Sequence, residues 1–159
     1  MKIALGADSY GLPLKQSIKD YLISKHHIIK DYGVNEASDN TPYYNTANVV
    51  AQSLINVKYD RAILVCGTGM GMSIIANKHP DIYAAVCESA FAAEKSRSIN
   101  DANILTLGSM IITEDVAKDI VDVWLRTEFT EGWDPSTKEW LKNSMDDIKS
   151  LENKQFINQ

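Results

Sequence analysis

The stretch Arg61–Lys78, RAILVCGTGMGMSIIANK, decides how the rest of the chain is read. Ala62-Ile63-Leu64-Val65 is a short continuous apolar run, the pattern of a strand buried on both faces of a parallel sheet. The run closes on Cys66, and Gly67-Thr68-Gly69-Met70-Gly71 follows as a glycine-rich turn. The next residues have a helical period, with Met72, Ile75 and Ala76 placed to face a core. Strand, glycine loop and helix in that order build an anion pocket. Glycines let backbone approach a ligand, and the first free N–H groups of the helix carry partial positive charge into the loop. Cys66 stands at the carboxyl end of its strand, where open α/β sheets bind ligands, and the same field favours a thiolate. The arrangement sets a base or nucleophile beside an oxyanion hole; a cysteine there also serves as a small buried hydrophobe. The glycine spacing is neither the G-x-G-x-x-G of dinucleotide sites nor that of a P-loop, because no Gly-Lys-Ser/Thr follows.

Towards the N-terminus, Lys2–Gly6 reads as a first strand with Ala7–Gly11 as the loop at its end. A helix is expected over 12–24, with Pro13 suited to its first turn, and a strand over 27–31. Residues 36–45 are polar and turn-rich and carry Pro42-Tyr43-Tyr44; a helix is expected over 46–57. Beyond the central unit the pattern predicts a strand over 82–86 ending on Cys87-Glu88-Ser89, a helix over 90–98 and a strand over 102–107. A helix over 114–125 follows, capped by Thr113, with Glu114 and Asp115 at its positive end. A last helix runs over 135–153, its apolar residues Trp140, Leu141, Met145, Ile148 and Leu151 spaced by three and four. It packs either on its own domain or on a second subunit.

Strands alternating with helices predict one α/β domain over residues 1–153. Its expected architecture is a doubly wound, Rossmann-like, five-stranded parallel sheet with flanking helices and an extra C-terminal helix, and a frayed tail over 154–159. Loops are expected to bring Asp8, Ser9, Cys66, Thr68, Glu88 and Asn100 to one edge of that sheet. The formal net charge of −5 and the lack of a basic cluster argue against a nucleic-acid surface. Cys66 and Cys87 lack metal-ligand spacing, and His26, His27 and His79 fall in turns, so no metal is expected. No apolar run of about 18 residues and no leader pattern is present, which predicts a cytoplasmic protein without a membrane partner.

The segments ILVCGTGMGMSIIANK and NDANILTLG, the opening KIALGADSYGLPLK and the span IVDVWLRTEF resemble the ribose-5-phosphate isomerase type B and galactose-6-phosphate isomerase family. The resemblance runs from Met1 to about Phe129. It implies cofactor-free aldose–ketose isomerisation of a sugar or sugar phosphate through an enediolate, in a homodimer or dimer of dimers with active sites between subunits. It implies Cys66 as the base, with Met72 where another branch of the family has a glutamate. By the same resemblance Thr68 and the N–H groups of Gly69, Met70 and Gly71 hold the enediolate beside Gly67. Asp8 handles the ring oxygen or a sugar hydroxyl, with Ser9 next to it, and Asn100 lies near the reacting carbons. Tyr44 or Trp133 offers an aromatic face to a sugar or packs at a subunit interface.

Several positions depart from the family pattern. Ser9 stands where members usually have histidine after the first aspartate, and Ile99 replaces the histidine before NDAN that is thought to open the sugar ring. Ser109-Met110 occupies the place of an arginine after the fifth strand, and Glu131–Thr137 replaces a Gly-Arg-His-x-x-x-Arg stretch. A phosphate dianion thereby loses its charge-assisted contacts. The expected substrate is a sugar that needs less ring opening, such as a tetrulose phosphate, or one without phosphate; otherwise Arg97, Lys138 or Lys142 supplies the clamp. A non-catalytic sugar-binding subunit is the alternative, against which the intact Cys66-Thr68 loop argues.

Overall fold

Five short strands pair side by side because their apolar runs must be covered on both faces. In the computed structural model, which describes residues 1–57 and 59–156, they are β1 (Lys2–Ala7), β2 (Ile28–Asp31), β3 (Arg61–Cys66), β4 (Ala84–Val86) and β5 (Ile104–Gly108). Every pairing is parallel and the order across the sheet is β2-β1-β3-β5-β4. The helices are α1 (Leu12–Ser24), α2 (Tyr43–Val57), α3 (Met70–Ala76), α4 (Ala90–Ser98), α5 (Glu114–Arg126) and α6 (Pro135–Phe156). The doubly wound five-stranded fold expected from the sequence is the fold found.

Alternation along the strands divides the core. Ile3, Leu5, Ala7, Ile63, Val65, Leu105 and Leu107 pack with α1, α4 and α5 on one face, around the fully buried Trp124. Ala4, Ala62, Leu64 and Cys66 turn to the other face, against α2 and α3. That second face is built of small residues, so its helices approach closely. A Cβ on Gly6 would lie 2.8 Å from the Thr46 methyl of α2. Because β1 and β3 are neighbours while the chain leaves β1 for β2 on the far side, the winding direction reverses between them.

Several boundaries differ from expectation. Helix α2 starts at Tyr43 because Pro42 ends the preceding loop and accepts backbone bonds from Asn45 and Thr46. Strand β4 keeps only Ala84–Val86: Asp81 has a positive φ, and the Asn103 amide takes the Tyr83 N–H and the Asp81 carbonyl. Helix α6 runs to Phe156, into the stretch expected to fray; residues 157–159 of that tail lie outside the described residues. It buries Leu141 and Met145 on its own domain, and Glu152 accepts from the Asp81 N–H and the Tyr83 hydroxyl. Trp140, Ile148 and Leu151, read as part of its apolar face, stay exposed. Among the described residues no helix is long and apolar enough to cross a membrane.

Candidate active site

At the carboxyl edge, where the winding reverses, three loops meet. Gly11 comes so close to the end of β3 that a Cβ there would sit 2.2 Å from the Val65 carbonyl oxygen. The Asp8 carboxylate, almost fully buried, accepts the Gly11 N–H at 2.9 Å and so closes the β1 loop on itself. Ser9, partly buried, follows it at the same edge. From the other side, the Ser109 N–H donates to the Cys66 carbonyl, the Met110 N–H to the Gly67 carbonyl, and the Ser109 hydroxyl to the Tyr10 carbonyl, each at 2.9 Å. Ser109 thus ties the loops after β1 and β5 together across the end of β3.

Within that frame the glycine loop does two things. Gly69 holds φ at +77°, a left-handed conformation that costs other residues about 1 kcal/mol or more. The turn aims its N–H back at the Cys66 sulfur, Sγ accepting at 3.1 Å. A backbone donor on sulfur supports the negative charge of a thiolate. Cys66 is 5% exposed, near solvent without being open to it. The Cys87 thiol lies near the Ala85 carbonyl and the Ser96 hydroxyl, and burial pushes it up, towards the neutral form. Both cysteines are buried, and among the described residues a backbone N–H is aimed at the sulfur of Cys66 alone.

The Gly69 N–H, expected to face a substrate oxyanion, is therefore engaged by sulfur. Met70 and Gly71, the first residues of α3, have N–H groups that no turn of their own helix can satisfy. Thr68 is exposed beside them, and Gly67 carries the Met110 side chain, its sulfur 3.3 Å from where a Cβ would stand. The aromatic ring over the loop belongs to Tyr43, in contact range of Gly71; Tyr44 is exposed and stacks edge-on against Tyr43 at 5.4 Å. Pro42 was the available signal, since a helix starting behind it sets the Tyr43 ring beside Gly71 while leaving it 40% exposed.

Asn100 is not at this edge. It precedes β5, whose Ile104 pairs with Ala62 at the start of β3, while Cys66 pairs with Gly108 at the end of β5. Asn100 lines a cleft with Asn77, Tyr83 and Ala102 at the amino edge, and parallel strands separate the two edges by their own length. Glu88 is exposed at the carboxyl edge. Arg97 is no phosphate clamp: it is buried under the amino edge, donating to Asp101 and the carbonyls of Ala102 and Thr127. A cavity of about 780 Å³ also opens at the amino edge, lined among others by Arg61, Asp81, Lys142 and Lys149. None of the Cys66 constellation lines it, so size does not mark the chemistry here.

Comparison with known proteins agrees with the geometry. The ribose/galactose isomerase family model matches residues 3–140. A 4-deoxy-4-sulfo-D-erythrose isomerase of Clostridium sp. (strain MSTE9) is 41% identical over 152 residues, covering 96% of each chain. A D-erythrulose-4-phosphate isomerase of Pectobacterium atrosepticum is 39% identical over 132 residues, 83% of this chain and 87% of that one. The solved structure of Clostridium thermocellum ribose-5-phosphate isomerase B superposes with a TM-score of 0.89 at 39% identity, covering 98% and 99% of the two chains. With this fold, a cysteine held by a backbone N–H at the point of reversal, and a match over most of its length, the chain belongs to the ribose/galactose isomerase family of sugar isomerases.

Proposed function

We propose that this isomerase interconverts an open-chain four-carbon aldose and its ketose, the substrate ending in an anionic group at C4, with Cys66 as the base. The observation that carries the mechanism is the 3.1 Å bond from the Gly69 N–H to the Cys66 sulfur. The thiolate takes the proton from C2; the C2–H electrons form the C1–C2 double bond and the carbonyl oxygen becomes an oxyanion. The N–H groups of Met70 and Gly71, with Thr68 beside them, receive that oxyanion, and each such donor is worth about 3 kcal/mol at the transition state. The thiol then returns the proton to C1 while the hydroxyl proton on O2 is lost and O1 is protonated. Asp8, held by the Gly11 N–H, serves the hydroxyl proton shuttle, with Ser9 beside it; Tyr43, rather than Tyr44, covers the sugar.

Chain length follows from ring chemistry. A four-carbon sugar closes a five-membered hemiacetal only through its C4 hydroxyl. When C4 carries a phosphate ester or a sulfonate that hydroxyl is gone, and the aldehyde stays open without help. Ile99 in place of a ring-opening histidine is consistent with such a substrate, and the two relatives named for four-carbon sugars support it.

Asn100 then acts on the Cys66 of a second copy, in a cytoplasmic homodimer or dimer of dimers whose sites lie between subunits. Exposed Tyr10, Tyr43, Met70, Met110 and Ile111 around the carboxyl edge support its being covered in this way. Incubating the protein in deuterated water with C4-anionic tetroses and with pentose 5-phosphates tests the reading by NMR. Deuterium entering C1 or C2 of the tetroses, and not with Cys66→Ala, is expected. Exchange that survives the substitution would remove Cys66 as the base, and exchange confined to pentoses would overturn the four-carbon substrate.

A further inference from the structure

We propose that Met110 selects the charge of the substrate's terminal group, so that the site takes a four-carbon sugar ending in a singly charged sulfonate in preference to a doubly charged phosphate ester. This rests on the four-carbon reading above and adds what discriminates within it. Met110 follows β5 after Ser109; its N–H is fixed on the Gly67 carbonyl and its sulfur lies over Gly67 of the glycine loop, while the side chain is 65% exposed. The group over the loop there is therefore a neutral thioether.

The charge around it points the same way. In the protomer that supplies Cys66, the loops that follow the strands at this edge, residues 8–11, 32–42, 67–69, 87–89 and 109–113, contain Asp8, Glu36, Asp39 and Glu88 and not one Lys or Arg. Lys15 and Lys19 of α1, the helix that leaves the β1 loop, are both gripped by Asp31. An acidic rim repels a second negative charge as strongly as the first, and a thioether offers no charge-assisted bond in return. A sulfonate carries one charge at every relevant pH; a phosphate ester gains its second near pH 6.

The test measures kcat/KM for 4-deoxy-4-sulfo-erythrose and erythrose 4-phosphate at pH 5.5 and pH 8, in the wild type, Met110→Arg and Met110→Leu. The wild type is expected to favour the sulfonate by roughly tenfold or more at pH 8, with the preference shrinking at pH 5.5 as the phosphate becomes a monoanion. Met110→Arg is expected to move the ratio at pH 8 towards the phosphate by about tenfold, and Met110→Leu to restore the wild-type ratio to within about threefold. Equal use of the two substrates at pH 8, or an Arg variant that changes both alike, overturns the assignment while leaving the isomerase reading intact. If neither substrate turns over, the four-carbon reading fails instead. Calorimetric binding of the two compounds then decides the head-group preference alone: tighter sulfonate binding supports it, and equal or tighter phosphate binding removes it.

Discussion

The two edges of the sheet are made from the same strands and do opposite work. At the amino edge side chains carry most of the contacts. Arg97 and Arg61 both lie 6.0 Å from the Trp124 ring, Arg97 spends its donors on Asp101 and two carbonyls, and Glu152 clips α6 to Asp81 and Tyr83. At the carboxyl edge backbone groups do the holding, and side chains such as Thr68, Met70 and Met110 are left facing out. The cavity of about 780 Å³ and most of the nearby cations belong to the first edge, the candidate chemistry to the second. Volume alone does not make a reacting site. Such a site also needs donors aimed at a developing charge, as the free N–H groups are where the glycine loop and the start of α3 meet.

Loss of a reacting side chain at the carboxyl edge is therefore expected to change turnover and leave stability, and loss of a packed side chain at the amino edge to do the reverse. Cys66→Ala is the largest test: loss of a general base is expected to lower kcat about a thousandfold, near 4 kcal/mol, with the unfolding midpoint little changed. Asn100 sharpens the comparison, because it sits at one edge and is assigned to the chemistry of the other. Cys66→Ala and Asn100→Ala chains, each inactive alone, are expected to regain about a quarter of wild-type activity when refolded together in equal amounts, since in a two-fold dimer that share of sites pairs intact residues. No recovery would place Asn100 outside the partner's site.

Arg97→Ala should cost about 3 kcal/mol in urea unfolding, by stranding the carbonyls of Ala102 and Thr127 beside Asp101, with kcat/KM at 25 °C unaltered. A drop in kcat/KM without loss of stability would break the division. Asp31, behind the active edge, gives a pH-dependent version. Burial pushes its carboxyl up, but hydrogen bonds from Lys15 and Lys19 and the Gly33 N–H outweigh this and hold it below the usual range. A lowered folded-state value gives stability that is fully present above the unfolded value of about 3.9 and lost as pH falls through the folded one. Asp31→Asn is thus expected to be less stable by about 2 kcal/mol at pH 7 and to converge with the wild type in acid; a gap constant with pH would show the linkage absent. The smallest effect is that of Gly69→Ala. About 1–2 kcal/mol of backbone strain is expected, with a further fall in kcat as the N–H swings off the Cys66 sulfur, read by parallel unfolding and rate measurements.

Much of the molecule was legible in the chain. Continuous apolar runs such as Ala62–Val65 announced buried parallel strands, and the spacing of Leu14, Ile18, Tyr21 and Leu22 announced one face of α1, of which all but the half-buried Tyr21 are buried. Cys66 at the end of a strand, followed by glycines, located the loop. These signals are local, set by side-chain period and backbone freedom within a few residues. What the sequence did not disclose depends on distance through space. Asn100 was expected beside Cys66 because both neighbour a strand, yet one precedes its strand and the other ends one, and only the parallel register puts the length of the sheet between them. The burial of Lys15 against Asp31, Val34 and Asn35 required β2 and its loop to be in place. That the Gly69 N–H turns to sulfur, and that Met110 lies on Gly67, followed from how loops from β3 and β5 close on each other. Sequence by itself determined the elements and the candidate residue Cys66, because those rest on short-range pattern. The tertiary structure alone decided which groups face that residue, because loops far apart in the chain meet only when the sheet brings them together.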